Sequence, residues 1–143
     1  MDAAFAAAVA AGSRGEVPVG AAIVSSQGDI IACDGNRTRE CSDPTAHAEM
    51  LAIRSACKAL GNARLAGCDL YVTLEPCPMC AAAISAARIR RLYFGAPDPK
   101  SGGVDHGPRV FAASGCHHKP EVYSDIGAAR SAALLRKFFR ARR

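Results

Sequence analysis

The stretch Leu70–Gly95 reads LYVTLEPCPMCAAAISAARIRRLYFG. Leu70–Leu74 predicts a strand, and Arg91–Gly95 predicts another. Between them, Pro78–Ala87 predicts an Ala-rich helix. Its proline falls in the first turn, where a missing N–H costs nothing. A helix between two strands implies a right-handed crossover and a sheet covered by helices. Upstream, Ala46–Leu60 is the clearest helix. Met50, Ile53, Cys57 and Leu60 recur at helical spacing, and Gly61 stops it. Val19–Ser25 and Asp29–Cys33, joined by a turn over Ser26, Gln27 and Gly28, read as a β-hairpin. A polar loop, Asp34–Thr45, follows the hairpin. Ala3–Ala11 predicts a short helix from Ala propensity, ended by Gly12 and Gly15. Downstream, Ala96–Cys116 is rich in Gly and Pro and reads as a long loop, either functional or mobile. Val122 and Tyr123 suggest a short last strand. Ala128–Arg142 predicts a final helix with Leu134, Leu135, Phe138 and Phe139 as its apolar stripe. The expected fold class is α/β: a three-layer α-β-α sandwich around a central mixed five-stranded sheet, in a single domain over residues 1–143.

Composition narrows the function classes. Of 71 hydrophobic residues, 30 are Ala, and Leu, Ile, Val and Phe together number only 28. Such a lean core gains by burying further surface, which favours an oligomer. The net charge is +5, and its distribution is uneven. Residues Ile126–Arg143 hold six basic side chains and no acidic one, so the remainder carries a net −1. A basic terminus of this kind admits an anionic partner such as nucleic acid. No apolar run approaches the length of a membrane span. Met1–Ala11 lacks a basic start and carries Asp2, which argues against a signal peptide. Seven cysteines, mostly single, fit a secreted disulfide framework poorly and point to the reducing cytoplasm. Cys33, Cys41, Cys57, Cys68 and Cys116 are expected to be small buried hydrophobes.

Two segments carry chemistry: Thr45-Ala46-His47-Ala48-Glu49 and Glu75-Pro76-Cys77-Pro78-Met79-Cys80. Both lie at predicted helix N-termini, with His47 on the first turn of one helix and Cys77 and Cys80 on the first turn of the next. A Cys-x-x-Cys at a helix start can aim both sulfurs at one ion, and the helix dipole there favours thiolate. One His and two Cys suit Zn²⁺. Three protein ligands leave the fourth tetrahedral position for water, the mark of a catalytic site. Glu49, two residues from His47, could reach that water without ligating the metal and serve first as base, then as acid. The competing readings are a redox Cys pair or half of a structural zinc site. For the latter no second Cys-x-x-Cys or His-x-x-x-His is present to complete it.

These segments resemble the zinc-dependent cytidine and deoxycytidylate deaminase superfamily, whose signature pairs His-x-Glu with Pro-Cys-x-x-Cys. Within it the chain is most similar to the bacterial tRNA adenosine deaminases. The resemblance also rests on Glu16–Ala21, Gly35-Asn36-Arg37, Asp43–Glu49, Asp69–Cys80, Arg88–Arg91 and Phe138-Phe139-Arg140. It implies a cytidine deaminase-like fold, one zinc per subunit held by His47, Cys77 and Cys80, and Glu49 as the proton carrier. It implies hydrolytic conversion of adenosine to inosine at the wobble position of a tRNA anticodon loop, by a homodimer. A single-stranded loop base splays into a pocket at little cost. Asn36 matches the position that hydrogen-bonds the purine, although a turn Asn after Gly35 reads as well from the residues alone. Val19, Ala48 and Pro76 match pocket positions, and Asp98 and Lys100 match a loop touching neighbouring nucleotides. Phe138 and Phe139 point about 100° apart on a helix, so one belongs to the core and the other is free to stack on a base. Phe139 and Arg140 are the expected RNA contacts. The N-terminal helix looks short for the family. The alternative within the same chemistry is a deaminase of a free base or nucleoside, of guanine or cytosine type. A non-catalytic RNA-binding module with structural zinc is the alternative outside it.

Overall fold

The computed structural model describes residues 1–143. It contains α1 (Asp2–Ser13), β1 (Gly20–Val24), β2 (Ile30–Gly35), α2 (Ala48–Leu60), β3 (Asp69–Leu74), α3 (Pro78–Ala86), β4 (Arg91–Ala96), β5 (Glu121–Tyr123) and α4 (Ala128–Arg140). The five strands form one sheet in the order β2-β1-β3-β4-β5. β1 runs antiparallel to β2 and β3, while β3, β4 and β5 are parallel. The sheet is therefore mixed, as its sequence implied.

Alternation along the strands sends side chains to two layers. Ala21, Ile23, Leu70, Val72, Leu92 and Phe94 face α2 and α3 and form the main core. The small Ala48, Ala52 and Ala56 stripe of α2 lets that helix lie close on the sheet. The opposite face is built for close backbone approach. A Cβ on Gly20 would overlap the Ala4 carbonyl of α1, and one on Gly95 would overlap Ser131 of α4 and the Thr73 carbonyl. The order of layers follows from these glycines and alanines, which is how a lean core still closes.

Three expectations need correction. The first helix extends through Gly12 to Ser13, so Gly12 does not end it. The turn comes at Gly15, whose φ of +85° suits glycine. The apolar stripe of α4 is not buried: only Ser131 is, while Phe139 is 49% exposed. The helix touches the sheet through its small residue at Gly95, so its larger side chains stay near the surface. The third concerns the single cysteines. Cys68 is buried and Cys57 and Cys116 are half-buried, but Cys33 and Cys41 are exposed. Cys33 lies on the edge strand β2 and donates to the Ala3 carbonyl, and Cys41 lies in the polar loop. All seven are free thiols.

Candidate active site and metal centre

Two of the three candidate metal ligands sit one step earlier than the sequence implied. His47 and Cys77 are the N-caps of α2 and α3, with extended backbone, and only Cys80 is on a first turn. The cause for Cys77 is Pro78, which disfavours helical backbone in the residue before it. For His47 it is Asn36. Asn36 Oδ1 accepts the Ala48 N–H at 2.8 Å, which caps α2 at its first residue.

The three side chains converge. His47 Nδ1 lies 3.6 Å from Cys77 Sγ and 3.5 Å from Cys80 Sγ, and all three donor atoms fall within 4.8 Å of one another. Zinc bonds of ~2.0 Å to nitrogen and ~2.3 Å to sulfur, at tetrahedral angles, space such donors roughly 3.6 Å apart. The donor set fits zinc in chemistry and in spacing. The charges agree. Hydrogen bonding from Cys80, opposed by burial and reinforced by His47, lowers the Cys77 thiol to about 4. The Cys80 thiol is pushed up by Cys77 and by burial. Two sulfurs this close share one proton, and a dication is the partner that lets both ionise. A redox pair would not need His47 at the same point.

Glu49 is 4% exposed beside this cluster. Burial lifts its carboxyl to about 7, against the pull of its own backbone N–H and of His47. A carboxyl poised there can both accept and return a proton near neutrality.

Residues 1–96 match the family model of the cytidine and deoxycytidylate deaminase zinc-binding region. The chain belongs to that family. This deaminase is 59% identical over 143 residues to the tRNA-specific adenosine deaminase of Agrobacterium fabrum, covering 100% of this chain and 93% of the relative. It superposes with a TM-score of 0.92 on a solved tRNA:A34 deaminase studied for A-to-I editing at the wobble position. Identity there is 59%, covering 94% of this chain and 97% of the other. The guanine deaminase of Bacillus subtilis gives a TM-score of 0.65 at 44% identity, covering 67% of this chain and 61% of the other.

The remaining expected site residues fall into two groups. Around the metal centre of the deaminase, Val19, Ala48 and Pro76 are buried, and the Val19 carbonyl accepts the Asn36 N–H at 3.1 Å. With Oδ1 committed to Ala48, the Asn36 amide keeps its NH₂ as a donor for something else. The second group lines a groove of about 540 Å³ that brings Asp98, Lys100 and Phe139 together with Val17 and Leu74. Asp98 Oδ1 accepts the Lys100 and Ser101 N–H groups, which shapes that turn. Phe139 also lines an adjoining groove of about 360 Å³ with Arg136, Arg140 and Arg143. Neither Phe138 nor Phe139 joins the core, contrary to the expectation that one would. Phe138 is half-buried under the Arg142 guanidinium at 3.6 Å, and Phe139 faces outward.

Three buried carboxylates escaped the sequence reading: Asp69, which pairs with Arg90 at 2.9 Å, and two that hold loops. Glu16, 1% exposed, accepts the N–H groups of Arg39 at 3.0 Å and Glu40 at 2.8 Å. It thereby holds the loop that follows Asn36. Glu75, 2% exposed, does the same for the loop containing Asp98. The available signal was a glutamate set among apolar residues, Glu16 before Val17-Pro18-Val19 and Glu75 between Leu74 and Pro76. An acid that such a run carries into the interior has to find partners there.

Proposed function

We propose that this chain converts adenosine to inosine at the wobble position of tRNA anticodon loops, with zinc held by His47, Cys77 and Cys80. The observation that carries the reading is the pair of grooves meeting at Phe139. An exposed aromatic ring flanked by Lys100, Arg136, Arg140 and Arg143 offers stacking to a base and charge to phosphates. A free base needs neither. The full-length likeness to tRNA-specific adenosine deaminases supports the same substrate.

When bound, zinc supplies the Lewis acidity that activates water for attack. The residues of the chain do the rest. The overall change breaks the C6–N bond, forms a C6–O bond and releases ammonia. Glu49 takes one proton from the water and passes it to the purine ring, then takes the second from the new C6 hydroxyl and delivers it to the leaving amine as the C6 carbonyl forms. The Asn36 NH₂ donates to the purine and orients it. Val19, Ala48 and Pro76 shape the pocket and exclude water. Asp98, Lys100, Phe139 and Arg140 hold the nucleotides flanking the reacting base.

The chain works as one domain and as a homodimer in the cytoplasm. No helix is long and apolar enough to cross a membrane. The exposed Ala82 and Ala86 of α3 line a groove of about 470 Å³ with Val110 and Ala113, an apolar face a second copy would cover. Sedimentation showing only monomer at micromolar concentration would contradict the dimer.

The guanine-type reading is favoured by the likeness to the Bacillus subtilis enzyme, which extends over only part of the chain. The deciding experiment incubates purified protein with an anticodon stem-loop carrying a wobble adenosine, and separately with adenosine, guanine and cytosine. Inosine in the RNA is the expected result. Turnover of a free base with none on RNA would establish the alternative.

A further inference from the structure

The segment between Pro97 and Arg109 contains no helix or strand, yet Gly102, Gly103 and Val104 within it are buried. Its shape is held from inside by one side chain. Glu75, whose carboxylate is 0% exposed, receives four donors from this loop. Oε1 accepts Asp98 N–H at 3.2 Å and His106 Nδ1 at 2.7 Å. Oε2 accepts Val104 N–H at 3.4 Å and His106 N–H at 3.2 Å. Three of the four partners are backbone N–H groups, which only donate, so the carboxylate is the acceptor at both of its oxygens. His106 Nδ1 therefore carries the proton of their shared bond. The loop also folds over the start of α3. Gly103 N–H donates to the Pro76 carbonyl at 2.8 Å, and a Cβ on Gly103 would lie 2.5 Å from Pro78 N.

A buried carboxylate without partners is expensive, so the loop closes only where all four donors reach it. Glu75 stands two residues before the metal ligand Cys77, and its Oε1 holds Asp98. We propose that Glu75, strapped by His106, is a positioning residue that fixes the Asp98–Ser101 turn relative to the metal centre and so sets the fit of the nucleotides flanking the reacting base. The proposal rests on the RNA reading above. His106 is the part of the strap that can be changed most gently, because its side chain is 37% exposed.

The test compares His106→Ala with His106→Asn in the zinc-loaded protein. Asn places an N–H on Cγ, as His does at Nδ1, and so keeps the donor to Glu75. Loss of a hydrogen bond to a charged group should matter about tenfold. In His106→Ala the Asp98 and Val104 amides should exchange with solvent roughly tenfold faster. KM for the anticodon stem-loop should rise about tenfold with kcat within twofold and zinc content unchanged. His106→Asn should restore both. Glu75→Gln, which turns an NH₂ toward the loop's own N–H groups, should raise KM further. Unchanged exchange in His106→Ala overturns the strap. Faster exchange with an unchanged KM, or a KM that His106→Asn does not restore, overturns the positioning role. Wild-type protein that leaves the stem-loop unmodified overturns the RNA reading instead, and shows itself before any variant is compared.

Discussion

Asn36 does two jobs with the two ends of one amide, and substitution can separate them. Its Oδ1 accepts the Ala48 N–H at 2.8 Å, and Ala48 is fully buried. Asn36→Ala strands that N–H with no water to replace the lost partner. A buried donor left unsatisfied costs about 1–3 kcal/mol. Unfolding entropy near 2.1 cal/mol/K per residue gives a chain of this length about 0.3 kcal/mol per degree. The expected fall in Tm is therefore roughly 3–10 °C. Asn36→Asp keeps an acceptor at the same place, and a negative charge at a helix N-terminus is favourable. Its Tm should stay within about 2 °C of wild type, because the cap survives. What Asp loses is the NH₂, the proposed donor to the purine. Deamination of the stem-loop should then drop by at least about tenfold, while zinc content holds. Melting followed by circular dichroism, with inosine formation measured on the same preparations, checks both halves. Full activity in Asn36→Asp would remove Asn36 from substrate binding. A wild-type Tm in Asn36→Ala would show that α2 does not depend on this cap.

Glu49→Gln should lower kcat by about 10²–10⁴, the usual share of a positioned acid–base group, with zinc content and RNA affinity retained; metal analysis and steady-state kinetics measure it. Glu16 gives a pH dependence with a definite sign. Burial raises its carboxyl, but the Glu40 and Arg39 N–H groups and the Thr38 hydroxyl lower it more, so it ends below the ordinary 4.5. A depressed carboxyl stabilises the fold above its ordinary value, and that stability is lost as pH falls through the folded value. Glu16→Gln should accordingly melt below wild type at pH 7, with the gap closing below pH 4.5; a gap that widens in acid contradicts the assignment. Phe139→Ala should raise KM for the stem-loop by about 5- to 150-fold, the equivalent of one stacked base, with little change in Tm. Phe138→Ala should do the reverse, since Phe138 packs under Arg142 and is half-buried.

The parts of this molecule that were legible in the sequence share a property: their chemistry belongs to side chains. Leu70–Gly95 announced strand, helix and strand because its apolar runs and Pro78 act locally. His47, Cys77 and Cys80 announced a metal because few residue types ligate zinc and their spacing leaves few alternatives. What stayed hidden belongs to the backbone. Arg39, Glu40, Asp98 and Val104 enter the architecture through their N–H groups, which every residue but proline carries. Nothing in their side chains marks them. The acceptors Glu16 and Glu75 are visible as letters, but their partners lie 23 or more residues away in the chain. The C-terminal helix failed in the opposite way. Its four apolar residues looked like core, and the choice of contact passed instead to Ser131, because Gly95 admits only a small neighbour. That substitution of a small contact for a large one is what leaves Phe139 facing outward beside Lys100. The groove beside Phe139 thus takes its shape in part from the Asp98 turn, which the buried Glu75 holds. If RNA binds there as proposed, its affinity should respond to Glu75 as well as to the arginines of the last helix, and KM for the stem-loop measured in Glu75→Gln beside Arg140→Ala checks it.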